Sequence, residues 1–109
     1  MIVYISGPIT GIEDLNKAAF SEAEKMLTKL GHDVVNPHTI PHPARSWAPL
    51  SWEEYMRDDI KELMNCEMVY ALSGWETSKG ARLEVHIAIE LGMRIMFQDK
   101  KEEGPNFRD

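Results

Sequence analysis

"MVYALSGWETSKGARLEVHIAIELGMRIMF", residues 68–97, changes its apolar rhythm twice. Residues 68–72 form a short unbroken apolar run, the pattern of a buried strand. Gly74 opens a polar loop, and Ser78 offers a helix N-cap. Ala81, Val85, Ala88 and Leu91 then recur at helical spacing until Gly92, a good residue beyond a helix end. Residues 94–97 return to a strand-like run. A strand, a helix and a second strand in this order make the unit from which parallel sheets are built.

One residue breaks the pattern of that helix. Glu84 lies on the apolar stripe, three residues after Ala81 and four before Ala88. Arg82, His86 and Glu90 mark the solvent side. Position 84 points about 200° around the axis from position 82, so the carboxylate aims inward. Buried carboxylates are rare unless they are paired, hydrogen-bonded or functional.

The same alternation runs through the rest of the chain. Residues 2–5, IVYI, read as a buried strand bounded by Gly7-Pro8 and Gly11. Asp14 is the expected cap of a first helix with Leu15, Ala19, Ala23, Met26 and Leu30 on its apolar stripe. Residues 32–35, HDVV, are the second strand. Residues 36–50 hold four prolines and no periodicity, so they are a loop. Ser51 and Glu54 form a capping box for a helix reaching about Asn65, with Trp52, Met56, Ile60 and Leu63 facing inward. The order β-α-β-α-β-α-β predicts a small three-layer, doubly wound α/β fold of flavodoxin or Rossmann type. Its parallel sheet would have four to five strands in one domain over residues 1–98, with a polar tail at 99–109.

Composition narrows the function classes. At 109 residues there is room for one compact domain. The net charge of −6 argues against binding a nucleic-acid polymer, which needs a basic footprint. It leaves room for a single nucleotide, since a few amides can hold a small anion. Cys66 is the only cysteine, which excludes an intrachain disulfide and a cysteine-rich zinc site. Its expected role is that of a small buried apolar residue. No apolar run approaches the roughly 18 residues of a membrane span, and MIVYISGP does not read as a signal peptide. A cytoplasmic protein with no membrane partner is expected. His38 and His42 sit among prolines that exclude a helix, and read as loop histidines rather than a metal site.

In such sheets ligands bind beyond the carboxyl ends of the strands. Loops 6–13, 36–50 and 73–78 therefore meet at one edge. Asp59 lies on or beside the stripe of the second helix, whereas Asp58 points about 100° away, toward solvent with Glu54 and Glu62. Two inward acids at the ligand edge form the pattern expected for a nucleophile plus an acid–base group. An inward acid can equally be structural, or reach water at the sheet edge. The turn Ser6-Gly7-Pro8-Ile9-Thr10-Gly11 can present amides and hydroxyls to a sugar or phosphate, although an ordinary tight turn looks similar. Trp75 can stack on a planar base, cover a helix end or bury in an oligomer interface.

Three segments carry a family resemblance. They are Y-I-S-G-P-I-T-G at 4–11, M-R-D-D-I-K-E-L-M-N-C-E-M-V-Y-A-L at 56–72 and G-W-E-T-S-K-G-A-R-L-E-V-H-I-A-I-E-L-G at 74–92. Together they resemble the nucleoside 2-deoxyribosyltransferase-like superfamily, and most closely its small branch DUF4406, common in phages and bacteria. The resemblance spans residues 2–97, and G-x-x-x-E-x-x-x-A-x-x-x-G from Gly80 to Gly92 is its most specific part.

The resemblance implies cleavage or transfer at the N-glycosidic bond of a (deoxy)nucleoside or its 5′-monophosphate. It makes Glu84 the nucleophile, Asp59 the group near the leaving base and Tyr4 a hydrogen-bond partner of the nucleophile. Ser6, Gly7, Pro8, Ile9 and Thr10 of the first loop, with Trp75, Ser78 and Gly80, become the substrate-binding set. Ser78 stands where the monophosphate hydrolases of the superfamily carry a phosphate-binding serine, which favours a 5′-phosphate. Pro8 replaces their first-loop serine, with Thr10 nearby. The implied partner is a small-molecule nucleoside or nucleotide, with no cofactor and no metal. A homodimer or higher homo-oligomer is implied too, in a bacterial cytoplasm and encoded by a phage or prophage. The alternatives are a non-catalytic nucleotide-binding module on the same fold and, further off, a structural or host-interaction protein.

Overall fold

The computed structural model describes residues 1–43 and 48–99. Strands and helices alternate as β1 (Ile2–Ser6), α1 (Lys17–Lys29), β2 (Asp33–Val35), α2 (Trp52–Leu63), β3 (Met68–Ala71), α3 (Lys79–Glu90) and β4 (Arg94–Phe97). Short 3-10 turns at Glu13–Asn16, Pro37–Thr39 and Trp75–Thr77 punctuate the loops. All pairings are parallel and the sheet order is β2-β1-β3-β4. This is the doubly wound α/β fold expected from the sequence, built on four strands. Of the expected polar tail, only Asp99 falls within the described residues.

Side chains alternate between the two faces of a strand, and β1 uses this to sort two cores. Val3 and Ile5, with Met68, Tyr70 and Leu72, pack against Phe20, Ala23 and Leu27 of α1. Tyr4 and Val69 face the other way, joining Leu63 of α2, Ala88 of α3, Ile40 and Cys66. Helices on both faces explain why residues 2–5 read as a continuous apolar run. Ser6 is fully buried too. Being two residues from Tyr4, it shares that side of the sheet.

The start of α1 differs from the sequence expectation. Asp14 does not cap the helix. Asp14, Leu15 and Asn16 all take positive φ, at 53°, 54° and 61°, and the helix begins after Asn16. The Asn16 amide donates to the Pro8 carbonyl at 2.9 Å, tying this left-handed turn to the first loop. The buried residues of α1 are Phe20, Ala23 and Leu27. Ala19 and Met26 flank them, while Leu15 and Leu30 are exposed. Phe20 has the largest apolar surface on the helix, and burying it sets the helix phase at the cost of the two leucines.

The other two helices start as their sequences indicate. Glu54 N–H donates to the Ser51 hydroxyl at 3.1 Å, and Ser51 N–H donates to the Glu54 carboxylate at 2.8 Å, closing the capping box of α2. Ala81 N–H donates to Ser78 Oγ at 3.1 Å, capping α3.

Two glycines permit close approaches around the ligand edge. A Cβ on Gly7 would lie 2.8 Å from Cβ and Cδ1 of Leu72, so only glycine lets the chain leave β1 flush against the end of β3. A Cβ on Gly80 would lie 3.1 Å from Met56 Sδ, so the first turn of α3 sits tightly on α2. Gly7→Ala forces Leu72 or the loop to move. It is expected to lower the unfolding free energy by about 1–3 kcal/mol, read by urea denaturation.

Candidate active site

With the sheet order 2-1-3-4, the strand order reverses between β1 and β3. The crevice beyond the carboxyl ends of those two strands is where open α/β sheets take their ligands. The loops 6–13 and 73–78 leave from that edge, and α3 starts there.

Glu84 lies in the second turn of α3 and is only 5% exposed. Tyr4 O–H donates to its Oε2 at 2.7 Å, and Ser6 O–H donates to its Oε1 at 2.6 Å. Strand alternation supplies both donors, because residues 4 and 6 leave β1 on the face that α3 covers. Burial drives the Glu84 carboxyl up to about 7. The two hydroxyls pull the other way by bonding the ionised form, and a charge on Asp59 adds to the rise. Burial first, and then the Glu84 charge, hold the Tyr4 hydroxyl well above its ordinary value. Tyr4 therefore stays a proton donor in this pair.

Asp59 reaches the same region from α2, since its charge acts on both Glu84 and Tyr4. Burial raises its carboxyl to about 6, His42 lowers it and Asp58 raises it further. Its Oδ1 is buried and has no hydrogen-bond partner. His42, from the loop after β2, lies against both aspartates. Nδ1 is 3.0 Å from Asp58 Oδ2, and Nε2 is 3.6 Å from Asp59 Oδ1. The Tyr55 ring meets the imidazole at 65° with centroids 4.7 Å apart. The expectation that Asp58 is solvated is thereby corrected. Its side chain is 14% exposed, with His42 folded onto it.

The remaining candidates fall into distinct environments. The Ser6 hydroxyl is committed to Glu84, so Ser6 holds the carboxylate instead of facing the crevice. Gly7 and Pro8 are buried, Ile9 packs on the α1-side core and Thr10 is exposed. Trp75 is half-buried, its ring tilted against Phe97 of β4 at 5.7 Å. Ser78 Oγ accepts from the helix it caps and keeps its own proton for donation. Gly80 lies under Met56, and Lys79 Nζ sits 4.0 Å above the Trp52 ring. The Cys66 thiol donates to the Glu62 carbonyl at 3.3 Å, and burial pushes it up to about 11. Among the described residues no group of three or more His, Cys, Asp or Glu is placed to hold a metal ion. No helix among them is long and apolar enough to cross a membrane.

Sequence reasoning brings Tyr4, Asp59 and Glu84 to one edge, and misses His42 and Asp58 as neighbours of that site. A histidine in an aperiodic, proline-rich loop carries no directional signal. The contiguous Asp58-Asp59 pair is the one hint the sequence offers.

The family model described as domain of unknown function DUF4406 matches residues 1–97. The chain belongs to the DUF4406 family. No curated protein matches this DUF4406 chain. Solved structures do. One is a 2-deoxyribosyltransferase from the psychrotolerant bacterium Bacillus psychrosaccharolyticus, 22% identical over 89% of this chain and 71% of that one, with a TM-score of 0.67. Another is a conserved protein from Enterococcus faecalis V583, 20% identical over 97% of this chain and 69% of that one, also at 0.67. At these identities the likeness is one of fold. The DUF4406 domain has a deoxyribosyltransferase-like, Rossmann-type fold.

The raised Glu84 carboxyl makes stability depend on pH with a definite sign. Folded Glu84 keeps its proton up to about 7, whereas the ordinary value is 4.5. Between those values the folded state binds more protons than the unfolded state, so stability falls as pH rises through the window and levels off above it. Glu84→Gln removes this term. From pH 4 to pH 8 the variant is expected to gain on wild type by something on the order of 1–3 kcal/mol, read by urea denaturation at both values.

Proposed function

We propose that this DUF4406 protein cleaves or transfers the N-glycosidic bond of a (deoxy)nucleoside or its 5′-monophosphate, with Glu84 as nucleophile. The observation that carries the reading is the buried Glu84 carboxylate, gripped by Tyr4 and Ser6, with a second raised acid, Asp59, near enough for its charge to act on it. The motif resemblance and the deoxyribosyltransferase-like fold support it.

The chemistry follows from the two acids. A Glu84 oxygen attacks the anomeric carbon through an oxocarbenium-like transition state and forms a glycosyl ester. The bond from carbon to base nitrogen breaks, and Asp59 gives its proton to the departing base. Water, or an acceptor base, then displaces Glu84 and returns a proton to Asp59. Two displacements retain the configuration of the sugar. Tyr4 and Ser6 aim the carboxylate and balance its charge. Ser78, with its free proton at the start of α3, is the residue best suited to a 5′-phosphate.

The productive form has Glu84 ionised and Asp59 protonated. Its fraction falls on the acid side as Glu84 takes up a proton and on the basic side as Asp59 loses one. With the two groups near about 7 and about 6, kcat/KM is expected to trace a bell with its maximum between those values.

The direct experiment is chromatography of a panel of nucleosides and 5′-monophosphates incubated with the protein. Wild type releases free base, or exchanges it when a second base is supplied. Glu84→Ala abolishes release, and Asp59→Asn lowers kcat by about 10²–10⁴. Base release by Glu84→Ala at the wild-type rate overturns the assignment. Thermal stabilisation by a nucleotide with no base released by wild type marks the protein as a binding module instead.

A further inference from the structure

Ser6 is the last residue of β1 and is fully buried. Its backbone is fixed from β3. Leu72 N–H donates to the Ser6 carbonyl at 2.8 Å, and the Leu72 side chain leaves no room for a Cβ on Gly7. From this fixed point the Ser6 hydroxyl donates to Glu84 Oε1 at 2.6 Å, while Tyr4 O–H donates to Oε2 at 2.7 Å. Both oxygens of the carboxylate therefore hold a hydroxyl. Each keeps a second lone pair that can bond to carbon.

A donor on a carboxylate favours the charged form, because the bond is stronger when the acceptor is an anion. In a two-step displacement Glu84 is charged before attack, neutral as a glycosyl ester and charged again after release. The Ser6 bond is therefore strong at both ends of the cycle and weak in the middle. During ester formation the charge it stabilises disappears, so it does not speed attack by the ionised group. During ester breakdown the charge returns, spread over Oε1 and Oε2. A hydroxyl already in place then stabilises it with no reorganisation.

We propose that Ser6 makes Glu84 a good leaving group and so drives breakdown of the glycosyl ester. The inference rests on the glycosidic reading of the site. Ser6 is a positioning residue that acts through Glu84, in place of the substrate-binding role implied for it by the motif resemblance. In the step it serves, a water oxygen bonds to the anomeric carbon. The bond from that carbon to the Glu84 oxygen breaks, its electron pair stays on the carboxylate, and the water proton goes to Asp59. Ser6 keeps its own proton throughout. The other groups acting on the carboxylate are Tyr4 of β1, through its hydrogen bond, and Asp59 of α2, through its charge.

Separating the two steps tests this. The substrate is the sugar that wild type accepts, carrying 4-nitrophenolate, which departs without a proton. At about pH 9 Glu84 is ionised for the first step and Asp59 is ionised for the second. With enzyme in excess, nitrophenolate absorbance reads ester formation, and intact mass after acid quenching reads ester decay. In Ser6→Ala the first rate is expected to stay within about threefold of wild type and the second to fall by about 100-fold, so the glycosyl-enzyme persists. Ser6→Cys keeps a weaker donor of similar size and is expected to fall in between; it carries the comparison if Ser6→Ala does not fold. Equal slowing of both steps means that Ser6 only braces the carboxylate, and overturns the proposal.

A second readout needs no turnover. Carbon NMR of the resting protein follows the carboxyl resonance that Glu84→Gln removes. Losing a donor to the charged form moves its midpoint upward, by about one pH unit in Ser6→Ala. An unmoved midpoint means that Ser6 does not stabilise the charge, and overturns the proposal whatever the rates show. A wild type that releases neither base nor nitrophenolate overturns the glycosidic reading and the ester step with it, while a raised midpoint still shows that Ser6 holds the charge of Glu84.

Discussion

A carboxylate in the interior, held by two hydroxyls, is the constraint around which this domain is arranged. Removing an ionised carboxylate from water costs several kcal/mol, and the cost is tolerable only with hydrogen bonds in place or with the group neutral. Tyr4 and Ser6 provide the bonds to Glu84. Both come from one strand, two residues apart, so their convergence depends on the register of β1. A slip of one residue would turn both hydroxyls toward α1 and leave Glu84 unpartnered. The β1 pairings with β2 and β3 fix that register, and Val3 and Ile5 anchor the opposite face among the apolar residues of α1. Packing on one side of the sheet thus secures the polar site on the other.

The second acid depends on a different contact. Asp59 belongs to α2, and its position relative to Glu84 follows from how closely α2 approaches α3. Gly80 sets that distance, because its bare α-carbon leaves room for Met56. Met56 lies one turn before Asp59 on the same helix. An apolar contact between the helices therefore sets how near Asp59 comes to Glu84. Little water reaches them, and the low local dielectric makes each responsive to the charge state of its neighbours.

The parts of this arrangement legible in the sequence are those encoded by periodicity. Strand and helix order, the capping box of α2, the Ser78 cap of α3 and the inward aim of Glu84 follow from local spacing, and the structure has each of them. The start of α1 was not legible. Asp14 is a sound cap by residue type, but the chain enters a left-handed turn that Asn16 pins to Pro8, and Phe20 then sets the phase. That choice is made by tertiary burial, which a helical pattern does not contain. His42 was illegible for a related reason. It stands in an aperiodic loop, and its place against Asp58 and Asp59 is set by long-range folding. Ser6 read as part of a substrate loop because Gly7-Pro8 follows it. Its parity with Tyr4 was the available signal, and it pointed inward.

The energetic character of the site bears on why these residues are there. A chain selected for stability alone would do better with a neutral or apolar residue at position 84, since well-packed hydrophobic replacements of buried ionic groups are often stabilising. Placing Glu84 in the core raises its carboxyl to about 7 and makes folding less favourable at neutral pH. Asp59, raised for the same reason, adds to that burden. Two destabilising acids at the strand-order reversal of an α/β sheet, with the charge of Asp59 acting on Glu84, form an arrangement that folding does not require. The fold tolerates it because each acid leans on a separate support, the β1 hydroxyls for Glu84 and the α2–α3 contact for Asp59. Local instability of this kind is the expected price of groups kept near the protonation balance that bond cleavage needs.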